Sequence, residues 1–274
     1  MSLCYMNGTF LPKEKATLPV SDYIILRGVG VFESISTFRK RPLMLTPHLE
    51  RLARSAESAS ITLPLPIEEI KAVVQEGLSR MPEDCLIRPY ITGGDVFISG
   101  AFPASRLFIL FEKVQKPAPE VYSNGVLLLP VDGGRHIPGV KSIDYMFSYS
   151  GYAKRGDAYE ILYCPDGEIT EAAHSSFFLY TGGTLVTAPL SRVLKGTMRD
   201  IILQLASEKG MKIEERCPLL SELAAAEEAF ITGSVKEVVP VVRIGDQVIG
   251  SGVPGPVTKM LHYTMLEEIV RWLE

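Results

Sequence analysis

GEITEAAHSSFF, residues 167–178, is the stretch that decides the fold of the second half of this chain. It follows a turn at Pro165-Asp166-Gly167 and leads into an apolar run, with Glu171 just before that run. Short apolar runs bounded by glycine and proline turns are typical of β hairpins. The stretch therefore predicts hairpin-rich β structure.

The same pattern extends to both sides of this stretch. VLLLPV (126–131) and YEILYC (159–164) precede it as predicted strands, and a glycine turn follows the strand SFFLY (176–180). Further along, the apolar spacing of MRDIILQLASEKG (198–210) predicts a helix that begins at Thr197. Strands followed by a helix indicate an α+β domain.

The first half of the chain has its own predicted strands and helices. Asn7-Gly8 between two apolar stretches predicts a tight hairpin. Thr46, followed by a proline, predicts the start of a helix that carries Arg51, and residues 67–81 have the apolar spacing of a second helix. Two further strands are predicted at 85–94 and 105–114.

A segment rich in proline and polar residues separates the two halves. QKPAPEVYSNG, around residues 115–125, has the composition of a linker. A chain of 274 residues is long enough for two domains of roughly 100–150 residues each. We therefore expect an N-terminal α+β domain at 1–115, a linker at 116–123 and a C-terminal α+β domain at 124–274.

The composition argues against several classes of function. A net charge of −4 and a pI near 5.7 provide no general attraction to nucleic acid or to a membrane surface. No apolar run approaches the roughly 18–20 residues of a membrane span, and the N-terminus lacks a basic region followed by an apolar stretch. We therefore expect a cytoplasmic protein. The four cysteines and four histidines show no metal-ligand spacing, so we expect no metal site.

Two charged residues have surroundings that suit cofactor chemistry. Lys141 lies in the apolar and aromatic stretch GVKSIDYMFS, where desolvation favours the neutral amine that Schiff-base formation requires. Glu171 is a candidate partner for a pyridine nitrogen, because a carboxylate keeps such a ring protonated and electron-accepting. Taken singly, each residue is better explained as an ordinary solvated charge.

Two glycine-containing segments are candidate anion sites. Gly196 in LKGTMRD precedes the predicted helix, whose first N–H groups and partial positive charge suit a phosphate. Thr232, Gly233 and Ser234 in FITGSVKEVVP can add hydroxyl and amide donors. Arg51 can supply a full positive charge. Each of these features is weak evidence when taken alone.

In chain order, these segments resemble the class IV aminotransferases, also called fold type IV pyridoxal-phosphate enzymes, across nearly the whole chain. The stretches that carry the resemblance are SDYIILRGVGVFESI, HLERLARSA, IRPYITGG, VKSIDY, GEITEAAHSSFF, VLKGTMRDIIL and EEAFITGSVKEVVPV. The resemblance implies two α+β domains with pyridoxal 5'-phosphate (PLP) at their junction. It also implies a homodimer in which an N-terminal loop of one subunit completes the other subunit's pocket.

The resemblance also implies roles for individual residues. Lys141 is expected to form the Schiff base with the cofactor and to act as the general acid-base. Glu171 is expected to pair with the pyridine nitrogen, and Tyr145 resembles a family tyrosine that hydrogen-bonds the cofactor phenolate. The residues implied in phosphate binding, through side chains or backbone N–H groups, are Arg51, Gly196, Thr197, Met198 and Ser234.

One departure from the common family pattern concerns the substrate. Relatives commonly carry an aromatic residue before the first glycine of RGVGVFES, where this chain has Arg27 on the loop expected to reach the partner's pocket. Arg88 in IRPYITGG falls on a strand expected to line that pocket. Two guanidinium groups suit a substrate carboxylate, unless Arg27 is simply a surface charge. The pair resembles a subgroup of D-amino-acid transaminases, so we expect a D-amino acid and a 2-oxo acid as substrates.

Three alternative functions compete with this one. A branched-chain L-amino-acid aminotransferase is supported by GVFES, which resembles the GVFEG of those enzymes. A 4-amino-4-deoxychorismate lyase would share the family but eliminate pyruvate instead of transferring an amino group. A cofactor-free binding domain of the same fold is disfavoured, because it would have no reason to retain Lys141, Glu171 and Arg51 together.

Overall fold

The computed structural model describes residues 2–274 and shows two compact units. Each unit combines helices with a β-sheet, so the predicted α+β class is confirmed. The units are not contiguous in sequence: the first comprises residues 2–115, 140–144 and 272–274, and the second comprises 116–139 and 145–271.

The segment around Lys141 belongs to the first unit, whereas the predicted linear boundary places it in the C-terminal domain. Main-chain hydrogen bonds are the reason. The N–H of Phe32 donates to the carbonyl oxygen of Lys141 at 3.0 Å, and the N–H of Ile143 donates to the carbonyl oxygen of Gly30 at 3.1 Å. These bonds join the segment to a strand from the first half of the chain.

The helices and strands cover most of the described residues. The helices are α1 (Tyr23–Arg27), α2 (Leu45–Ser58), α3 (Ile67–Ser79), α4 (Pro119–Asn124), α5 (Met146–Tyr152), α6 (Thr197–Glu208) and α7 (Pro256–Glu268). The strands are β1 (Leu3–Met6), β2 (Thr9–Pro12), β3 (Gly30–Phe32), β4 (Ile35–Phe38), β5 (Arg41–Pro42), β6 (Cys85–Thr92), β7 (Arg106–Lys113), β8 (Val126–Val131), β9 (Glu160–Tyr163), β10 (Glu171–Ala172), β11 (Ser175–Thr181), β12 (Thr184–Thr187), β13 (Lys212–Glu215), β14 (Glu228–Gly233), β15 (Glu237–Ile244) and β16 (Gln247–Val248). Within residues 2–274, every helix is too short or too polar to cross a lipid bilayer.

The first unit contains a seven-stranded antiparallel sheet, as seen in residues 2–115. Its strand order is β2-β1-β7-β6-β4-β5, and β3 pairs with β6. The predicted hairpin at Asn7-Gly8 is confirmed, since both residues have positive φ between β1 and β2. Helices α2 and α3 contribute Leu52 and Val74 to a core that they share with Phe111 of β7.

The second unit contains a sheet of nine strands within its described residues. The order is β10-β9-β8-β15-β14-β11-β12-β13, with β16 on β15. An additional pairing between β10 and β11 closes the first six strands of this order into a ring. The strands predicted at 126–131, 159–164 and 176–180 are all present as β8, β9 and β11. Glu171 begins β10, a member of the ring.

The predicted start of helix α2 was wrong. Helix α2 begins at Leu45 rather than after Thr46, with Met44 as the N-cap in a left-handed conformation. Instead of capping the helix, Thr46 donates its N–H to the carboxylate of Glu274 at 3.0 Å. The predicted linker 116–123 contains most of helix α4, because Pro119 occupies a position at the helix start that tolerates its missing N–H.

Close packing at Gly77 of helix α3 yields a stability prediction. A Cβ atom at this position would lie 2.1 Å from Cζ of the buried Phe111 ring. We expect Gly77→Ala to lower the free energy of unfolding by about 1–3 kcal/mol through overpacking, although alanine is intrinsically favoured in helices by about 1 kcal/mol. Urea denaturation measures the effect. In a Phe111→Leu background the same substitution should cost less, and an equal cost in both backgrounds would contradict overpacking.

Candidate active site

Lys141 is fixed between strand β3 and helix α2 of the first unit. Besides the main-chain bonds to β3, its own N–H donates to Oγ of Ser55 on α2 at 3.1 Å. The side chain is half-buried, and its Nζ lies 4.6 Å from the centre of the Phe32 ring. The backbone is therefore held from two sides, and the amine is presented against an aromatic face.

Arg51 lies one helical turn before Ser55 on the same face of α2. It is 6% exposed, and its Nε and Nη2 donate to the two carboxylate oxygens of Glu33 at 2.7 Å each. His48 Nδ1 lies 2.6 Å from the same carboxylate. The predicted phosphate-binding arginine is thus part of a buried cluster. Glu33 and His48 were not predicted from the sequence, in which the spacing of His48 three residues before Arg51 was the available signal.

Arg88 projects from β6 and is paired with an acidic residue of the neighbouring strand. Its guanidinium contacts the carboxylate of Glu112 on β7, which also binds Lys13. Arg88 Nε is buried and has no hydrogen-bond partner among residues 2–274. The predicted carboxylate-binding arginine therefore retains one unused hydrogen-bond donor. A substrate carboxylate would have to compete with Glu112 for the positive charge of Arg88.

Arg27 ends helix α1 and is exposed in the single chain. Its helix is anchored by Asp22, which is fully buried and accepts the N–H of Ile24 at 2.9 Å as the helix cap. Asp22 also accepts the hydroxyl of Thr92 at 2.8 Å and Nη1 of Arg106 at 2.9 Å. The short helix is therefore attached to the sheet of the first unit, and Arg27 extends from a fixed base.

Three aromatic rings form a row across strands β3, β6 and β7. Phe32 stacks on Tyr90 with ring centres 5.3 Å apart, and Tyr90 stacks on Phe108 at 4.7 Å. These residues are cross-strand neighbours in the sheet. Arg88 lies two residues before Tyr90 and so on the same face of β6. This face of the first unit thus offers an amine at Lys141, an aromatic wall and a guanidinium group.

Glu171 is buried in the second unit and paired with Arg135. The Nε of Arg135 donates to Glu171 Oε1 at 2.9 Å, and its Nη2 donates to the carbonyl oxygen of Ala173 at 3.0 Å. Burial alone would lower the pKa of Arg135, but the Glu171 carboxylate and then Tyr145 outweigh burial and raise it. Arg135 was not predicted from the sequence, because nothing in its spacing distinguishes it from a surface arginine.

Tyr145 packs beside this ion pair. Its ring lies 5.6 Å from the guanidinium carbon of Arg135 and stacks on His174 with ring centres 4.9 Å apart. Burial raises the pKa of the Tyr145 hydroxyl. The hydroxyl therefore remains protonated at neutral pH and can donate a hydrogen bond to an acceptor on a ligand. The structure places Tyr145 and Glu171 in one cluster of the second unit.

The start of helix α6 forms a second cluster in that unit. Its N-cap Gly196 has no side chain to accept the first N–H groups of the helix, and the buried Thr197 and Met198 follow. A Cβ at Gly196 would lie 2.6 Å from Oγ of Ser176, so a larger residue here would displace this hydroxyl. Thr232 is paired with Ser176 in the sheet. Its buried Oγ1 has no hydrogen-bond partner among residues 2–274.

The predicted site residues are thus divided between the units. The first unit holds Lys141, Arg51, Arg27 and Arg88, and the second holds Tyr145, Glu171, Gly196, Thr197, Met198 and Ser234. Ser234 is half-buried in the turn between β14 and β15. Among residues 2–274, no group of histidine, cysteine, aspartate and glutamate side chains can hold a metal ion.

Comparison with known proteins assigns the family. Residues 30–244, which are more than half of the chain, match the amino-transferase class IV family. The chain belongs to the class IV aminotransferases. A Methanocaldococcus jannaschii protein, provisionally named a branched-chain-amino-acid aminotransferase, is 33% identical over 98% of this chain and 96% of its own length. A D-alanine aminotransferase of Bacillus licheniformis is 28% identical over 96% of both chains.

Solved structures share the fold of this class IV aminotransferase. A T.th. branched-chain amino acid aminotransferase, complexed with N-(5'-phosphopyridoxyl)-L-glutamate, matches with a TM-score of 0.90 and 26% identity. The match covers 99% of this chain and 97% of the other. The α+β architecture is therefore fold type IV, and the cofactor of this family is PLP.

The residues of this aminotransferase fit PLP. The aldehyde group of PLP would be bound by an amine such as that of Lys141. The pyridine nitrogen of PLP would be kept protonated by a carboxylate such as that of Glu171. The uncapped N-terminus of α6 suits a phosphate. The buried hydroxyl of Thr232 supports the fit most directly, because a buried polar group without a partner is unfavourable until a ligand satisfies it.

Thr232→Val tests this interpretation of the orphaned hydroxyl. Valine has nearly the same shape but needs no hydrogen bond, so we expect the apoprotein to become more stable by about 1 kcal/mol. Its affinity for PLP should fall, because the candidate site then has one hydrogen-bond donor fewer for a ligand. Thermal unfolding of the apoprotein and a PLP titration measure the two effects. Unchanged PLP affinity together with lower stability would contradict a ligand-binding role for this hydroxyl.

Proposed function

We propose that this class IV aminotransferase transfers the amino group between a D-amino acid and a 2-oxo acid, with Lys141 as the residue that moves the substrate proton. The observation that carries the proposal is the setting of Lys141. Its backbone is fixed by β3 and Ser55, and its amine faces the Phe32 ring. A general base must be held in one orientation to act on one proton.

Each cluster contributes a distinct task to this reaction. When bound, PLP withdraws electrons from the substrate and makes the proton on its α-carbon acidic. Glu171, supported by Arg135, would hold the ring nitrogen protonated, and Tyr145 would donate to the phenolate. Arg51, the N-terminus of α6 and Ser234 would bind the phosphate. Lys141 would then take the proton from the α-carbon of the substrate and deliver it to the carbon of the cofactor that keeps the amino group.

Reductive labelling tests the role of Lys141. Sodium borohydride should fix PLP on Lys141, as located by peptide mass spectrometry, and Lys141→Arg should abolish both the label and transamination. Lys236→Arg is a matched control, because its Nζ also lies near an aromatic ring, 5.3 Å from the centre of Tyr159. That variant should retain the label at Lys141. A label found on another lysine of the wild-type protein would refute the assignment.

The preference for an amino acid rests on the two arginines, and the preference for the D enantiomer rests on the resemblance of this pair to a subgroup of D-amino-acid transaminases. Arg88 lies on the same sheet face as the aromatic row near Lys141, and Arg27 is presented from the anchored helix α1. A guanidinium group binds a carboxylate through paired, charge-assisted hydrogen bonds, which favours amino acids over simple amines. The similarity to a D-alanine aminotransferase is consistent with this choice.

A branched-chain L-amino acid is the second candidate substrate. The row of Phe32, Tyr90 and Phe108 is an apolar wall suited to an aliphatic side chain. A relative and a solved structure also carry branched-chain names. Incubation with D-alanine or with L-leucine alone distinguishes the candidates, because the true donor converts the absorbance of bound PLP to that of pyridoxamine phosphate. Conversion by L-leucine only would reject the D-amino-acid proposal.

Substitutions at Arg88 and Glu112 test carboxylate binding. Arg88→Ala should raise KM for both the amino acid and the 2-oxo acid by roughly ten-fold or more, since a hydrogen-bonded charge pair contributes about 1.5–3 kcal/mol. Glu112→Gln is the informative control: it frees Arg88 from its acidic partner and should lower KM. Steady-state kinetics measure both. Unchanged KM in Arg88→Ala would eliminate Arg88 as the carboxylate partner.

We also propose that the enzyme acts as a homodimer in which Arg27 enters the partner's pocket. Ile25 and Leu26 on α1 are exposed, as are Phe97 and Ile98. Phe97 lies beside Tyr23 of α1, with ring centres 6.4 Å apart. An exposed apolar group of this kind is typical of a protein interface. Burial of this surface by a second copy would place Arg27 next to the partner subunit.

A further inference from the structure

Glu33 is a buried carboxylate to which the proposed reaction assigns no task. It is fully buried directly after β3, and its N–H donates to the carbonyl oxygen of Pro89 at 2.9 Å. Both carboxylate oxygens accept hydrogen bonds from Arg51. Because Phe32 precedes it in sequence, Glu33 connects the strand that holds Lys141 with the helix that carries Arg51.

The charge of Glu33 is retained inside the protein by its two partners. Burial opposes ionisation, but the attraction of Arg51 and then of His48 outweighs it and holds the pKa of Glu33 below its usual range. Burial lowers the pKa of His48 despite the nearby carboxylate, so His48 is neutral at neutral pH and donates from Nδ1 to Glu33. Glu33 is therefore an anion held by one cation and one neutral donor.

This arrangement fixes the orientation of the Arg51 guanidinium. A single carboxylate that accepts from both Nε and Nη2 defines the plane and the rotation of the group. An arginine held by one hydrogen bond would sample several rotamers and lose that freedom when it binds a ligand. Arg51 is instead ordered before any phosphate arrives, which favours tight binding.

We propose that Glu33 is a positioning residue for phosphate recognition: it holds Arg51 in its binding orientation, and His48 holds Glu33. The inference rests on the phosphate-binding role proposed for Arg51. Glu33 acts through the guanidinium group rather than on the cofactor itself. Its loss should therefore weaken binding of the phosphorylated cofactor and spare the condensation of Lys141 with an aldehyde that has no phosphate.

The test compares PLP with pyridoxal, which lacks the phosphate, on the full-length apoprotein. Absorbance titrations measure Kd for each compound in the wild type, Glu33→Gln, Arg51→Met and the double variant. Glu33→Gln should raise the Kd of PLP by about ten-fold or more and change that of pyridoxal by less than about two-fold. In the Arg51→Met background, Glu33→Gln should have no further effect on PLP affinity.

A matched control separates positioning from general stability. Asp84 of the same unit accepts hydrogen bonds from the hydroxyl of Thr37 and from the N–H groups of Arg39 and Lys40. Asp84→Asn therefore weakens the fold away from Arg51 and should leave the ratio of the two Kd values unchanged. If Glu33→Gln lowers both affinities equally, Glu33 only stabilises the fold and the proposal is overturned.

The test also covers a Glu33→Gln variant that does not fold and an Arg51→Met variant that has no effect on the ratio. If Glu33→Gln does not fold, Glu33→Asp is used instead, because it retains the charge but its shorter side chain moves the carboxylate away from Arg51. This variant should raise the ratio of the PLP Kd to the pyridoxal Kd. An unchanged ratio in that variant would overturn the proposal. If Arg51→Met itself leaves the ratio unchanged, Arg51 does not bind the phosphate, and the failure lies in the proposed function rather than in the positioning of Arg51.

Discussion

The main-chain pairing of Lys141 with strand β3 is the constraint on which the candidate site depends. It uses the carbonyl oxygen of Lys141 and the N–H of Phe32, so it is independent of the side chains that carry chemistry. Helix α2 completes the arrangement, because Ser55 binds the backbone of Lys141 while Arg51, one turn earlier, presents a guanidinium group. One strand and one helix therefore set the positions of an amine and a cation together.

Three arginines of the candidate site regions are each paired with a carboxylate of their own unit. Arg51 is paired with Glu33, Arg88 with Glu112 and Arg135 with Glu171. Local pairing explains how a chain of net charge −4 can present anion-binding groups without a strongly positive surface. Recognition of a phosphate or a carboxylate must then depend on the geometry of fixed donors rather than on excess charge.

The strands, the hairpin at Asn7-Gly8 and candidate chemical residues such as Lys141 are predictable from the sequence, because these signals are local. The acidic partners of the arginines are not, since Glu33 lies 18 residues from Arg51 and Glu112 lies 24 residues from Arg88. Nothing in the sequence indicates such long-range pairs before the strands are aligned. The membership of Lys141 in the first unit was not predicted for the same reason.

The closed ring of six strands in the second unit has a consequence for how accurately its candidate binding groups are placed. Each strand of the ring has a neighbour on both sides, so none can slide by one residue unless the others slide with it. Glu171 begins one of these strands, and Ser176 and Thr232 face each other across two more. Circular closure thus acts as a register lock that keeps a carboxylate and two hydroxyls at constant mutual spacing.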